Sequence, residues 1–168
     1  MYKLEVFFDY SCPFCLKGHE YLTELIPLYP QIEIVWCPCE AHPRPEIHSP
    51  HSDLCIQGMF FALDHGVDIW VYHDRMYQAA VKDRLDLEDI NVLADSVKGL
   101  LDTDAFRKSL ESGEYAKVQL DGNQYAFGQN GVWAVPSYRM NGGKLDSIEG
   151  IGVTKEQLAA FMDTAKQD

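Results

Sequence analysis

The sequence has few basic residues and no long apolar run. Its 168 residues include 14 Lys and Arg against 26 Asp and Glu, a formal net charge of −12. A protein that binds nucleic acid, or an anionic membrane surface, needs clustered cations to neutralise phosphates. No segment approaches the roughly 20 apolar residues that span a bilayer. We therefore expect neither nucleic acid nor membrane as a partner.

Cysteine is also scarce, at five residues, and the number is odd. A small secreted domain stabilised by disulfides would carry more of them. The N-terminal segment MYKLEVFFD lacks the basic region, apolar stretch and cleavage site of a secretory signal. We therefore predict a cytoplasmic location, where cysteines more often serve catalysis or bind metal than stabilise a fold.

The N-terminal part of the chain predicts a strand–helix–strand unit. Residues 4–8 and 32–36 are short apolar runs rich in β-branched and aromatic residues, which is typical of buried strands. Between them, apolar residues recur at helical spacing up to residue 29, with Pro13 suited to the first turn. Such a unit favours two parallel strands.

The middle of the chain, residues 52–113, shows helical patterns only. We predict four amphipathic helices there, with Asp86 as N-cap of the third and Thr103 as N-cap of the fourth. No strand interrupts them. This stretch therefore predicts a helical insertion in an α/β protein.

The C-terminal part predicts a helix, a hairpin and a final helix. The first helix covers residues 114–127, and an Asn-Gly-Gly turn joins strands at 137–140 and 145–148. Thr154 and Gln157 form a capping box that opens the last helix. The whole order predicts helices on both faces of one mixed sheet.

Cys12-Pro-Phe-Cys15 is the most specific motif, because it follows a strand and begins a helix. Free N–H groups and the helix dipole stabilise a thiolate at Cys12. The thiolate is the form that attacks disulfides, and its pKa in such motifs falls to about 3.5–7.5. Cys15, one turn further, suits a shielded resolving thiol. The alternative, half of a zinc site, would need a second close ligand pair.

The segment FDYSCPFC (residues 8–15), the helical insertion and Val135-Pro136 resemble the DsbA family of thioredoxin-fold proteins. They resemble its cytoplasmic FrnE-like branch, the polyketide-biosynthesis dithiol-disulfide isomerases, more closely. The resemblance implies an α/β thioredoxin fold built from residues 1–40 and 114–168. Residues 50–113 would then form the inserted helical subdomain.

The resemblance also implies site residues. Pro136 matches the proline with a cis peptide bond that packs beside the dithiol, and Pro13, Phe14 and Val135 would contact substrate. Cys12 and Cys15 would exchange disulfides with protein or small-molecule substrates and be recycled by a thiol system. No metal or organic cofactor is implied, and glutathione is a candidate co-substrate.

Two departures from DsbA itself matter. Phe14 stands where DsbA has a histidine, and the export signal is absent. Without that cation the dithiol should be less oxidising than DsbA, at about −120 mV, and we expect a potential between that value and the −270 mV of thioredoxin. Reductase or isomerase activity is the expectation.

Other polar and sulfur-containing residues leave alternatives open. Asp9, three residues before Cys12, is either a proton relay or an acceptor for loop amides. Cys37, Cys39 and Cys55 are either buried apolar side chains or auxiliary redox thiols. They could also bind a metal together with His42, His48 and His51, the histidines between Cys39 and Cys55.

The remaining histidines and the tryptophans are assigned structural roles. We predict solvated or capping positions for His19, His65 and His73. We expect the tryptophans to supply core, whereas aromatic residues near Cys12 and Val135 are alternatives for the wall of a substrate groove.

Two other functions compete with disulfide exchange. Kappa-class glutathione transferases and 2-hydroxychromene-2-carboxylate isomerases are similar in topology and use glutathione, but they usually carry Ser at the position of Cys12. A binding protein, either a chaperone or a metal sensor with a regulatory dithiol, belongs to a different class. It predicts bound metal and no turnover.

Overall fold

A computed structural model describes residues 1–48 and 50–166. Four strands, β1 (Tyr2–Phe8), β2 (Ile32–Pro38), β3 (Ser137–Met140) and β4 (Gly143–Asp146), form one sheet in the order β2-β1-β3-β4. The first two are parallel, and β3 is antiparallel to both β1 and β4. The predicted mixed sheet is confirmed.

The helices follow the predicted order along the chain. They are α1 (Pro13–Leu25), α2 (Asp53–Asp64), α3 (Ile69–Tyr77), α4 (Ile90–Ser96), α5 (Thr103–Ser112), α6 (Ala116–Asn123) and α7 (Lys155–Asp163). Short 3₁₀ turns extend α1 and α7, and π-helical turns extend α3 and α6. No helix among the described residues is long and apolar enough to cross a bilayer.

The two predicted N-caps in the insertion were wrong, one by three residues and the other by one. Asp89, not Asp86, caps α4, because its carboxylate accepts from two N–H groups of the first turn. Asp86 instead accepts from the Glu88 N–H in the preceding turn. Asp102 caps α5, so Thr103 is its first helical residue.

The C-terminal hairpin is tighter than predicted. Asn141 and Gly142 both have positive φ angles, 50° and 79°, as a two-residue hairpin loop requires. Met140 therefore pairs with Gly143, and β4 begins two residues before the predicted start. Ile148, the predicted strand end, makes only an isolated bridge to Gly152. The capping box of α7 is confirmed.

Apolar side chains pack on both faces of the sheet. The main cluster joins β1 to the helices and includes Leu4, Phe8, Leu22, Ile56 and Leu158. A smaller cluster on the other face, where Phe7 points, contains Phe7, Cys39, Ala126 and Val132. The main cluster takes side chains from both predicted subdomains, whose boundaries stay a prediction. The last two residues of the 114–168 part lie outside the described residues.

The prediction for two histidines was wrong. His19 and His73 are buried, and each has a partner: His19 Nε2 lies 2.7 Å from Asp74, and His73 Nδ1 lies 2.8 Å from the Tyr10 hydroxyl. Both imidazoles lie among aromatic rings, where a polar group needs a hydrogen bond to be tolerated. His65, in contrast, is exposed and within 2.8 Å of the Phe61 carbonyl at the end of α2, as expected for a capping residue.

Candidate active site

The backbone places Cys12 at the start of α1. Cys12 is the N-cap residue, with φ −93° and ψ 118°, and Pro13 occupies the first turn. The Cys12 carbonyl accepts from the N–H groups of Cys15 and Leu16, which begins the helical ladder. No side chain caps this end of the helix. The free N–H groups of the first turn are therefore directed toward the Cys12 sulfur, as the sequence predicted.

Burial separates the roles of the two cysteines. Cys12 is partly exposed and Cys15 is 2% exposed, and both are free thiols. A hydrogen bond from the Cys15 thiol, aided by backbone N–H groups, lowers the pKa of Cys12. Burial raises the pKa of Cys15 well above its ordinary value. Cys12 is thus the more accessible of the two thiols and has the lower pKa, which is the asymmetry that a nucleophile and a resolving thiol require.

Pro136 lies beside the dithiol, at the start of β3. The Val135–Pro136 peptide bond is cis, as the resemblance implied. The Cys12 thiol lies 3.7 Å from the Val135 carbonyl, within the distance of a sulfur hydrogen bond. The Ser147 hydroxyl donates to the Pro136 carbonyl at 2.5 Å and ties the following loop to this segment. These contacts bring three separate parts of the chain to the sulfur.

An open cavity of about 330 Å³ adjoins Cys12. Phe14, Val135 and Trp133 contribute to its wall, whereas Pro13 is exposed and lines a different cavity. Trp133 is 66% exposed, so its assignment to the core was wrong and the groove alternative fits its position. Gly152, with φ +81°, permits close approach of Phe14, whose Cδ1 would lie 3.0 Å from a Cβ at that position.

Asp9 is buried directly behind the two sulfurs. Its carboxylate accepts from the Ser11 and Ala41 N–H groups at 2.9 and 2.7 Å and from the Ser52 hydroxyl at 2.5 Å. Its own N–H lies 3.4 Å from the Cys15 sulfur. Burial raises the pKa of the Asp9 carboxyl despite these hydrogen bonds. The predicted contact with loop amides is present, and the position also suits proton transfer.

The other three cysteines have protonated thiols. Burial raises the pKa of Cys37 to about 12 and raises those of Cys39 and Cys55 as well. The strand register pairs Cys37 with Phe7, so β2 ends at the same sheet edge as β1. Because a protonated thiol is a poor nucleophile, their state favours the apolar interpretation over auxiliary redox chemistry.

The histidines of the loop do not gather these cysteines into a metal site. His42 Nδ1 lies 2.9 Å from Glu46, and His51 Nδ1 lies 2.8 Å from the His42 carbonyl. Within residues 1–48 and 50–166, no group of three His, Cys, Asp or Glu side chains is arranged to hold a metal ion.

Sequence reasoning missed several residues at this site. Ser52 and Ala41 fix Asp9, and Ser147 fixes Pro136. Tyr138 has a fully buried hydroxyl without a hydrogen-bond partner among the described residues. Only the alternation of β3 could have indicated a core position for Tyr138. The remaining contacts join segments distant in sequence, and no local pattern marks them.

The class of fold is shown by comparison with known proteins. The family described as DSBA-like thioredoxin domain matches residues 3–50, which include the dithiol. A probable DsbA oxidoreductase from Streptomyces coelicolor has a TM-score of 0.81 at 15% identity, covering 100% of this chain and 91% of its own. BdbD from Bacillus subtilis has a TM-score of 0.73 at 12% identity, covering 99% and 88%. Identities this low establish the fold alone, and that fold is the DsbA-like thioredoxin fold with helices between β2 and β3.

Two further proteins are similar to this chain. A thioredoxin-like oxidoreductase from Silicibacter pomeroyi has a TM-score of 0.73 at 19% identity, covering 99% of this chain and 87% of its own. The uncharacterized protein YwbO of Bacillus subtilis is 26% identical over 171 residues, covering 80% of this chain and 84% of that protein. The structural neighbours confirm the predicted fold for the described residues.

Proposed function

We propose that the protein is a thiol-disulfide oxidoreductase in which Cys12 attacks substrate disulfides and Cys15 resolves the mixed disulfide. The observation that carries this proposal is the pairing of a partly exposed Cys12 at a helix N-terminus, with a lowered pKa, and a buried Cys15 with a raised pKa. Asymmetry of this kind suits a dithiol in which one thiol initiates exchange and the other completes it.

In the reductive direction the exchange has two steps. The Cys12 thiolate attacks one sulfur of the substrate disulfide, forms a mixed disulfide and releases the other substrate sulfur as a thiolate. Cys15 then loses its proton and attacks the Cys12 sulfur, which releases the second substrate thiolate. Two electrons pass from the dithiol to the substrate, and both released thiolates take up protons. A cellular thiol system then reduces the Cys12–Cys15 disulfide.

Asp9 suits the second step because Cys15 is buried and must be deprotonated there. The Asp9 N–H lies 3.4 Å from the Cys15 sulfur, and the raised pKa of the Asp9 carboxyl brings its proton affinity closer to that of a thiol. We assign it the transfer of the Cys15 proton. Its hydrogen bonds to Ser11, Ala41 and Ser52 keep it in place during exchange.

We infer the direction of electron flow from the surroundings of the dithiol. Phe14 supplies no cation to the Cys12 thiolate, so the potential should lie between those of DsbA and thioredoxin, about −120 and −270 mV. The redox potential of the cytoplasm, about −220 to −320 mV, keeps such a pair of cysteines reduced. The predicted cytoplasmic location and FrnE-like assignment thus belong to a proposal of reductase or isomerase activity, with glutathione as a candidate co-substrate.

The proposal is tested by redox equilibrium in glutathione buffers, with metal content measured on the same sample. We expect a reversible two-electron couple in the wild type and its loss in Cys12→Ser and Cys15→Ser. Cys15→Ser should also accumulate a mixed disulfide with substrate, because its resolving thiol is gone. Stoichiometric metal without a couple would instead establish the metal-binding alternative. A potential as high as about −120 mV would contradict the argument from Phe14.

A further inference from the structure

The wall of the cavity beside Cys12 combines exposed apolar side chains with two carboxylates. Trp133 and Ile148 are 66% and 56% exposed, and they adjoin Glu46 and Glu149. Among the described residues that line this cavity there is no lysine or arginine. The surface around the nucleophile is therefore apolar with an acidic rim.

His42 also lines the cavity, and its Nδ1 lies 2.9 Å from Glu46, whereas the neighbouring arginine and lysine pair with other carboxylates. Arg44, in the same loop as Glu46, donates to Asp53 and Glu88 at 3.0 and 3.1 Å. Lys17, on the first helix after the dithiol, pairs with Glu20 at 3.3 Å. The local potential thus has the sign of the whole chain, whose net charge is −12.

The loop that carries Glu149 is held firmly against the active site. Gly152 accepts from the Ile148 N–H and donates back to the Ile148 carbonyl, at 3.4 and 2.8 Å. Ser147 anchors the loop start to the Pro136 carbonyl, and Gly152 packs on Phe14. Glu149 is consequently presented at a defined place beside Cys12 rather than on a distant surface.

We propose that this cavity selects disulfides carried by extended polypeptide segments with basic residues next to the cysteine. The inference rests on the proposed oxidoreductase function and names its substrate class. Apolar side chains of the segment would pack on Trp133 and Ile148, and its lysines or arginines would lie near Glu46 and Glu149. Charge complementarity of this kind raises association rates and excludes anionic competitors. Glutathione, which is anionic at neutral pH, is therefore a poorer substrate than a basic peptide.

The test uses the reduced protein in single turnovers with three disulfide-linked peptides. They share one sequence except for two residues flanking the cysteine, which are Lys, Gln or Glu. At about 0.02 M ionic strength we expect the Lys peptide to react about fivefold faster than the Glu peptide, falling below twofold at about 1 M.

Two matched double variants test whether Glu46 and Glu149 cause the difference in rate between the peptides. In the double variant Glu46→Gln/Glu149→Gln the ratio of Lys to Glu peptide rates should approach one. The double variant Asp95→Asn/Glu111→Gln removes the same charge from exposed positions outside the cavity and should keep the ratio.

Three other results would contradict the proposed selectivity, its assignment to the two carboxylates or the proposed function. Equal rates for all three peptides in the wild type would refute the charge selectivity and leave the oxidoreductase function standing. A ratio that persists in Glu46→Gln/Glu149→Gln would refute the assignment to these carboxylates. No reaction even with the Gln peptide would refute the proposed function and the inference with it.

Discussion

Gly18 of α1 faces the Tyr138 hydroxyl of β3 so closely that a Cβ at position 18 would lie 2.6 Å from that oxygen. The same Cβ would lie 3.3 Å from Cγ of Pro136. Glycine at this position lets the helix that carries the dithiol approach the strand that begins with the cis proline. The spacing of the active-site elements therefore depends on a missing side chain one turn after Cys15.

Gly18→Ala should destabilise the protein by about 1–3 kcal/mol through overpacking. Tyr138→Phe should be neutral or stabilising by about 1 kcal/mol, because it removes a buried hydroxyl that has no partner among the described residues. Together the two changes should cost less than the sum of the single effects, since the hydroxyl is the atom in closest conflict. Urea unfolding of the four proteins in a double-mutant cycle measures this coupling. Strict additivity would contradict the assigned contact.

Asp9→Asn should slow resolution of the mixed disulfide and should also change the pH dependence of stability. Burial raises the pKa of Asp9 from 3.8, so the folded state holds this proton more tightly than the unfolded state. The contribution of Asp9 to stability is therefore present below pH 3.8 and lost as the pH rises through the folded pKa.

The free energy of unfolding of the wild type relative to Asp9→Asn should accordingly fall as the pH rises from about 3.8 toward 7. Urea unfolding at several pH values measures the difference, and rapid-quench trapping of the mixed disulfide measures resolution. An Asp9→Asn protein that resolves as fast as wild type would leave Asp9 with a structural role only. Cys12→Ser, which blocks the first step, controls for background exchange.

His73→Gln should reduce the loss of stability in acid. Burial, with the neighbouring His19 adding to the effect, lowers the pKa of His73 well below 6.5. The unfolded chain therefore gains a proton below pH 6.5 that the folded protein excludes, and stability falls by up to about 1.4 kcal/mol per pH unit. Gln retains a hydrogen-bond acceptor for Tyr10 and does not titrate.

Unfolding free energies at pH 7 and pH 5 compare the two proteins. We expect the wild type to lose more stability over this interval than His73→Gln. His65→Gln, at an exposed histidine, is the control. It should lose as much stability between pH 7 and pH 5 as the wild type does. Equal losses in wild type and His73→Gln would show that folding does not lower the pKa of His73.

Local patterns predicted much of the fold because the elements depend on nearby residues. The strand–helix–strand unit, the Asn141–Gly142 turn and the Thr154–Gln157 capping box all arise from interactions within a few residues. The predictions that were wrong concern places where two nearby residues could each form the same local structure. Asp86 and Asp89 have similar capping chemistry, and only the course of the backbone selected Asp89.

The burial of individual side chains and their hydrogen-bond partners could not be predicted from local patterns. His19 meets Asp74 across 55 positions of sequence, and Asp9 meets Ser52 across 43. Trp133 has the large apolar side chain typical of a core residue, but it lies at the open cavity. Such positions depend on which segments the sheet and helices bring together.

The sequence by itself determined that Cys12 stands at the start of a helix, two residues before a second thiol. That follows from backbone geometry and hydrogen bonds between near neighbours. Only the tertiary structure decided that Asp9 lies beside the Cys15 sulfur and that Glu46 and Glu149 border the cavity at Cys12. The burial of Cys15 and the place of Pro136 were expected from the motif and the resemblance, but the contacts that produce them form only in the folded chain. The physical reason is that desolvation and electrostatic fields depend on all nearby atoms, and folding brings those atoms from distant parts of the chain.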